Sequence, residues 1–242
     1  MGRFPASIGA PLPGFPRALA FDLDGTLWSC DDVIRRAERA LHAWLGAHYP
    51  GIPAEFDREA MRVVRRDLMN RRPELGADVT ALRRASLEWH ARRAGYDPAL
   101  AAEGVAVFLA ERRRVTPYPD VRPALERLAV DYPLVALTNG NADVWRSDLA
   151  DLFGHFLTAA EVGAAKPDPA LFRAACERLG LRAAEVVHIG DDPIRDIHAA
   201  RAFGMPAVWI NRTGAEWPEG ARRPQGEIAD LAGLPAALAG LG

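Results

Sequence analysis

The sequence predicts a doubly wound parallel α/β sheet interrupted by an all-helical insert. Three observations carry that expectation. Short apolar runs alternate with helical patterns from about residue 117 onward, the signature of strands joined by crossover helices. Each run passes directly into Asp, Asn or Gly, as at "LAFD", "VALTNG" and "VVHIGD", which is loop chemistry at the end of a buried strand. Residues 28–116, between the first run and the second, hold helical periodicity and no convincing strand.

The elements follow in order. "MGRFPASIGAPLPGFPR" is broken by prolines and lacks an apolar stretch, so it is expected to be an extended arm (1–16) and not a secretory signal. "RALAFDLDGT" (17–26) reads as a buried strand and its loop. Residues 31–48 place Ile34, Ala37, Leu41, Trp44 and Leu45 on one helical face, with Asp31 or Asp32 as the cap and "YPGIP" as the stop. His42 and His48 are expected on the surface of that insert and Trp44 in its core. Further helices are predicted over 54–69, 77–94 and 98–113. Then come a helix over 121–130, a strand over 133–138, a helix over 142–152 and a short strand within 155–163. "KPDPALFRAACERLG" supplies Asp168 as cap, Pro169 at the first helical position and Gly180 as stop. A strand over 185–190 leads to a second such helix, with Asp192, Pro193 and Gly204 in those roles. A last clear strand spans 206–210, and the tail alternates turns with a short alanine- and leucine-rich helix. The domain reading is a core of 17–27 and 117–242, with 28–116 inserted as a helical cap.

Composition excludes several classes. The chain of 242 residues is 49% hydrophobic and 26% charged, with a net charge of −2. That is ordinary for a soluble globular protein and gives no reason to expect nucleic acid or a membrane as partner. No apolar run reaches the ~18 residues of a membrane span. Cys30 and Cys176 lie far apart with no Cys/His cluster, so free thiols in a reducing cytoplasm are expected. His188 lies inside a predicted strand and reads as a hydrogen-bonded core residue.

One residue stands out by its type. Lys166 is the only lysine; the other 29 of the 30 basic residues are arginine. Lysine is a compact ammonium that acts as a point charge, whereas arginine is a planar fork. A single phosphate oxygen or a crowded pair of carboxylates suits the ammonium. In open parallel sheets ligands bind beyond the carboxyl ends of the strands. Asp22 and Asp24, Thr138 and Asn139, and Asp191 and Asp192 all follow strand ends and converge on one edge. A calcium loop is excluded for "DLDGTL", since Thr26 and Leu27 occupy the positions that need Asp or Asn and then Gly.

Four elements, "DLDGT" (22–26), "LTNGN" (137–141), Lys166 and "GDDPIRD" (190–196), resemble in order and spacing the haloacid dehalogenase (HAD) superfamily of phosphohydrolases. The resemblance spans about 17–212 and implies a Rossmann-like core with a helical type 1 cap. It implies hydrolysis of a small-molecule phosphomonoester with Asp22 as nucleophile, forming an aspartyl-phosphate. Asp24 would be the general acid and base, and Lys166 the counter-charge to nucleophile and phosphoryl group. Thr138, Asn139 and Lys166 would bind the phosphate. Mg²⁺ would be the cofactor, held by the Asp22 carboxylate, the Asp24 main-chain carbonyl and Asp191. Asp196 and Asp192 would stand behind these, orienting Lys166 or a bound water.

Longer stretches, including "FDLDGTLWSCDDVIRRAERAL" and "HIGDDPIRDIHAARAFGMPAVWI", look like the proteobacterial phosphatases of 5-amino-6-(5-phospho-D-ribitylamino)uracil and FMN. That subgroup often has Asp-Asp-Thr where this chain has Asp24-Gly25-Thr26. Nucleotide, phosphoglycolate and sugar phosphates are alternative substrates. A 2-haloacid dehalogenase would need neither Mg²⁺ nor Asp24, and a non-catalytic binding protein would be expected to have lost one of Asp22, Asp24, Lys166 or Asp191. A monomer or homodimer in the cytoplasm is expected.

Overall fold

A computed structural model describes residues 15–241. The expected arm therefore lies, for residues 1–14, outside the described residues. Strand β1 (Ala18–Phe21) is buried at every position, as a central parallel strand covered on both faces must be. Helix α1 (Cys30–His48) begins early enough that Asp31 and Asp32 sit within its first turn instead of capping it. There their charge complements the helix dipole. It buries Val33, Ala37, Leu41 and Leu45, and Ile34 and Trp44 pack on the margin of the same cluster. The expected stop holds a short helix, α2 (Gly51–Glu55). Helix α3 (Arg58–Arg71) starts later than the pattern over 54–69, because Asp57 caps it and accepts the Ala60 N–H at 2.8 Å. Asp78 caps α4 (Val79–Arg93) in the same way, and α5 (Leu100–Arg112) follows.

After α6 (Val121–Asp131) and β2 (Leu134–Thr138), the helix expected over 142–152 does not form. The chain makes 3₁₀ turns at Val144–Arg146 and Ala150–Leu152. Asp143 accepts the Trp145 N–H, while the Ser147 hydroxyl donates to the Val144 carbonyl and accepts the Leu149 N–H. These short side chains take the backbone groups that a helix would have used. Strand β3 (His155–Thr158) runs into α7 (Ala159–Val162) through a capping box of Thr158 and Glu161. In α8 (Ala170–Leu179) the cap position falls to Pro169, so Asp168 stands one residue farther out, still accepting the Ala170 N–H. Gly180 ends the helix in the left-handed region, at φ 64°. Strand β4 (Val186–Gly190) is followed by a turn of π-helix over Pro193–His198 and by α9 (Ala199–Phe203). Then come β5 (Ala207–Ile210), β6 (Gly226–Ile228) and α10 (Leu234–Ala239). The sequence did not predict β6, which is too short to carry a periodic signal.

The strands form one parallel sheet in the order β3-β2-β1-β4-β5-β6. The chain steps outward from β1 to β3 and then returns to the other side of β1 as β4. That reversal makes a switch point between β1 and β4, where such sheets bind ligands. The Asp22 N–H donates to the Ile189 carbonyl at 2.9 Å, which fixes the start of the β1 loop against β4.

The chain divides into two compact units. One holds residues 15–29, Thr116–Asn139 and the chain from Asp143 onward; its core includes Val135, Leu137, Phe172, Ile197 and Trp209. The other, Cys30–Val115 with Gly140–Ala142, is helical and packs Leu41, Leu45, Ile52, Leu87 and Phe108. In the helical unit, Arg83 lies over the Phe108 ring and shares Glu38 with Arg65. Both cysteines are free thiols. Among the described residues no helix is long and apolar enough to cross a membrane.

Candidate active site

The single lysine stands at the centre of the geometry. Lys166 is 3% exposed, and its Nζ donates to Asp22 Oδ1 at 2.7 Å, to Asp196 Oδ1 at 2.6 Å and to the Leu137 carbonyl at 3.2 Å. An ammonium has three protons, and three acceptors receive them. The crowded pair of carboxylates that suits a lysine is Asp22 and Asp196. Burial alone would lower the Lys166 pKa, but the charges of Asp196 and Asp22 outweigh it and hold it above its ordinary value.

Asn139 fixes the backbone that carries this lysine. Its Nδ2 donates to the Lys166 carbonyl and its Oδ1 accepts the Lys166 N–H, each at 2.7 Å. Its side-chain amide therefore serves Lys166, which leaves contact with an anion to the Asn139 backbone. Thr138 ends β2 and is buried beside it.

Asp196 is held from three directions. Lys166 and His188 Nε2 donate to Oδ1, and the Asp192 N–H donates to Oδ2 at 3.1 Å. Burial would raise its pKa, but the Lys166 charge and the His188 hydrogen bond prevail and hold it well below the usual carboxylate range. His188 is fully buried and its pKa is lowered, first by burial, so it bonds Asp196 as a neutral ring. The π-helical turn brings Asp196 inward: the Asp192 carbonyl accepts both the Asp196 and the Ile197 N–H, a local widening common at functional sites. Gly190 makes room, since a Cβ there would lie 2.5 Å from Asp196 Cβ. The Asp192 side chain caps this turn, accepting the Ile194 and Arg195 N–H groups and pairing with Arg195 Nε.

For Asp22 and Asp191 the compensation falls short. Burial raises Asp22 well above its ordinary value, and Asp196 and Asp191 add to the rise that Lys166 only partly offsets. Asp191 is raised to about 7 by burial and then by Asp196. Among the described residues Asp22, Asp191 and Asp196 bring ligand-type oxygens within 4.8 Å of one another. Fully ionised, the three carboxylates would exceed the one ammonium by two negative charges, which together with burial is why Asp22 and Asp191 are held toward their protonated forms. A divalent, oxygen-seeking cation fits that excess in both charge and donor chemistry.

The sequence reading missed several groups that shape this cluster. The Thr26 hydroxyl lies 3.3 Å from both Asp22 Oδ2 and Asp191 Oδ1. Trp209 Nε1 donates to the Asp191 carbonyl at 2.8 Å. Gly25 has φ 88°, and a Cβ there would fall 2.2 Å from Asp191 Oδ2. Asp191 therefore occupies the space that an Asp-Asp-Thr sequence would need for its middle side chain. Asp24 is outside the three-carboxylate cluster; its Oδ1 accepts the Trp28 Nε1–H at 2.9 Å. Thr26, Gly25 and Asp24 were visible as residues, but their partners lie far away in sequence or on a loop with no period to read.

Comparison with known proteins adds an independent line. Residues 16–204 match a hydrolase family described as haloacid dehalogenase-like hydrolase. The chain is 33% identical over 225 residues to the 5-amino-6-(5-phospho-D-ribitylamino)uracil phosphatase YigB of Escherichia coli (strain K12), covering 90% of this chain and 94% of that protein. It is 31% identical over 206 residues to a glyceraldehyde 3-phosphate phosphatase of Methanopyrus kandleri, covering 81% and 84%. Among solved structures, a 2-haloacid dehalogenase from Pseudomonas syringae pv. Tomato DC3000 superposes with a TM-score of 0.86 at 40% identity, covering 93% of this chain and 99% of that one.

Proposed function

The chain belongs to the haloacid dehalogenase-like hydrolase family, and on that premise we propose a Mg²⁺-dependent phosphomonoesterase that works through an aspartyl-phosphate on Asp22. The coarser statement, a phosphoric monoester hydrolase, rests on the family and on the phosphatases among its relatives. The observation that carries the finer reading is the Lys166 ammonium clamped between Asp22 and Asp196 beside Asp191.

The mechanism follows from those residues. A carboxylate oxygen of Asp22 attacks phosphorus and the bond to the ester oxygen breaks. The leaving alkoxide takes its proton from Asp24. Water then attacks phosphorus, gives its proton to Asp24, and phosphate departs as the Asp22 carboxylate is restored. Lys166 faces the charge that collects on Asp22 and on the phosphoryl oxygens, with the Thr138 hydroxyl as a further donor. Asp196, His188 and Asn139 keep the lysine charged and in place. Asp22, Asp191 and the Asp24 carbonyl would hold Mg²⁺, which when bound supplies charge neutralisation and orients the phosphoryl group. The helical unit is assigned to substrate selection.

The similarity to YigB supports 5-amino-6-(5-phospho-D-ribitylamino)uracil as the first substrate to test and FMN as the second. A second reading, hydrolysis of a 2-haloacid, is favoured by the solved dehalogenase at 40% identity. The two differ in their need for Asp24 and for the cation. Phosphate release should be measured on both flavin-pathway substrates, glyceraldehyde 3-phosphate, phosphoglycolate, nucleotides and sugar phosphates, with Mg²⁺ and with EDTA, beside halide release from 2-chloropropionate. Phosphate release that needs Mg²⁺ supports the proposal. Halide release indifferent to EDTA, with no phosphate release, overturns it.

A further inference from the structure

We propose that the helical unit carries an oxyanion-binding pocket between α1, α3 and α4, in which Arg83 receives a phosphate or carboxylate group. The site stands apart from the phosphatase reading and does not depend on it.

The pocket is lined entirely by residues of the helical unit. It measures about 340 Å³ including its mouth, the lower end of the range for small-molecule sites. Its fixed charges are Arg58, Arg65 and Arg83 against Glu38 alone. Leu41, Met61 and Leu87 add buried apolar walls, so charges there are weakly screened.

The guanidinium of Arg83 lacks acceptors. Arg83 is 7% exposed, and its Cζ lies 3.3 Å from the centroid of the Phe108 ring. Stacking covers one face of the guanidinium and leaves its edges, where the N–H donors point. Glu38 Oε1 is 3.7 Å from Arg83 Nη2, beyond hydrogen-bond reach. That oxygen accepts Arg65 Nη2 at 2.6 Å, so the Glu38 charge is already engaged. No other carboxylate among the described residues pairs with Arg83. A buried charge left in this state is costly until an anion meets it. Burial, and then the Arg65 charge, push the Arg83 pKa down to about 9, in keeping with a site short of negative charge.

Two neighbours complete the site. Ser86 follows Arg83 by three residues on α4 and so shares its face. It is 3% exposed, lines the pocket, and its hydroxyl has no hydrogen-bond partner among the described residues. Arg58, the first residue of α3, lines the pocket as well and has no ion pair among the described residues. An oxyanion answers all three: two of its oxygens match the guanidinium fork, and its remaining acceptor capacity and charge suit the Ser86 hydroxyl and Arg58. A metal cation would be repelled, and an apolar ligand would leave the donors unmet.

The test is nuclear magnetic resonance of the full chain labelled with ¹⁵N and ¹³C. The Arg83 Nε–H signal, assigned through its own backbone, would be followed in EDTA at constant ionic strength during titration with inorganic phosphate and, separately, with acetate. It is expected to shift and saturate with at least one of them. Arg58→Ala and Ser86→Ala should each weaken that binding by about three- to ten-fold. A signal that stays in place with both ions, a shift that never saturates, or full binding by both variants would overturn the proposal. Kinetics of Arg83→Met separate the two sources of the anion. A KM raised about ten-fold for phosphoglycolate, but not for the phosphate ester of an uncharged alcohol, assigns the group to the substrate. A KM unchanged for both, with saturation in the titration, assigns it to a free ion. Where Arg83→Met fails to fold, Arg58→Ala is measured in its place. A wild type that releases no phosphate would bring down the phosphatase reading and leave the titration to decide the pocket.

Discussion

Lys166 meets three acceptors from one nitrogen, and a guanidinium cannot do that, because its donors are spread across a planar fork. Lys166→Arg is therefore expected to lower kcat by about 10² or more, while circular dichroism keeps its native form. Asp22→Asn is expected to abolish turnover and leave the fold intact. The raised carboxylates carry a pH prediction with a definite sign. Asp191 goes from 3.8 to about 7 on folding, so folding favours its protonated form. The stability this gives is complete below about pH 4 and is lost as pH rises through about 7. Asp22 shifts in the same direction, while Asp196, held low, affects stability only below that window. Buried His188, whose pKa is lowered from 6.5, acts in the opposite sense, so the carboxylate contribution is read as the urea midpoint of wild type minus that of Asp191→Asn in EDTA. That difference should fall between about pH 5 and pH 8, and Mg²⁺ should reverse part of the fall, since the cation binds the deprotonated carboxylates. A difference that rises over that range would contradict the charge balance.

At the scale of elements, the site depends on how β1 and β4 end. Gly190 closes β4 where a Cβ would strike Asp196 at 2.5 Å. Gly190→Ala is expected to cost about 1–3 kcal/mol in urea unfolding and to reduce kcat with it, because Asp196 must move and Lys166 loses its partner. Loss of stability with unchanged kcat would mean that Asp196 does not set the lysine. Elements with strong local signals were legible in the sequence. The apolar runs of β1, β2, β4 and β5 were read directly, as were the glycine stops at Gly180 and Gly204. The segment 142–152 was misread because its apolar spacing suggests a helix, while Asp143 and Ser147 bind the local backbone instead. Strand β6 exists through its pairing with β5, which no local pattern announces.

At the scale of the molecule, strand-end chemistry made the shared carboxyl edge of the sheet readable, while the switch point between β1 and β4 emerged only with the strand order. The residue types at Asp22, Asp191 and Lys166 named the chemistry, but not the partners. That Thr26 lies between Asp22 and Asp191, or that Trp28 meets Asp24, is a tertiary fact with no sequence period. The helical unit, assigned to substrate selection, yields a prediction of its own. Exchange of residues 30–115 for those of a relative with another substrate should reorder kcat/KM across the phosphate panel while Lys166→Arg still disables the chimera. An unchanged order would return specificity to the sheet unit. The most direct test of the central claim is mass spectrometry of the Asp22 peptide after rapid acid quench of the Mg²⁺-loaded enzyme with its best phosphomonoester. The account predicts a peptide heavier by one phosphoryl group, located on Asp22 and missing from Asp22→Asn. An unmodified Asp22 in an enzyme that is turning over, or a phosphoryl group on another residue, would contradict it.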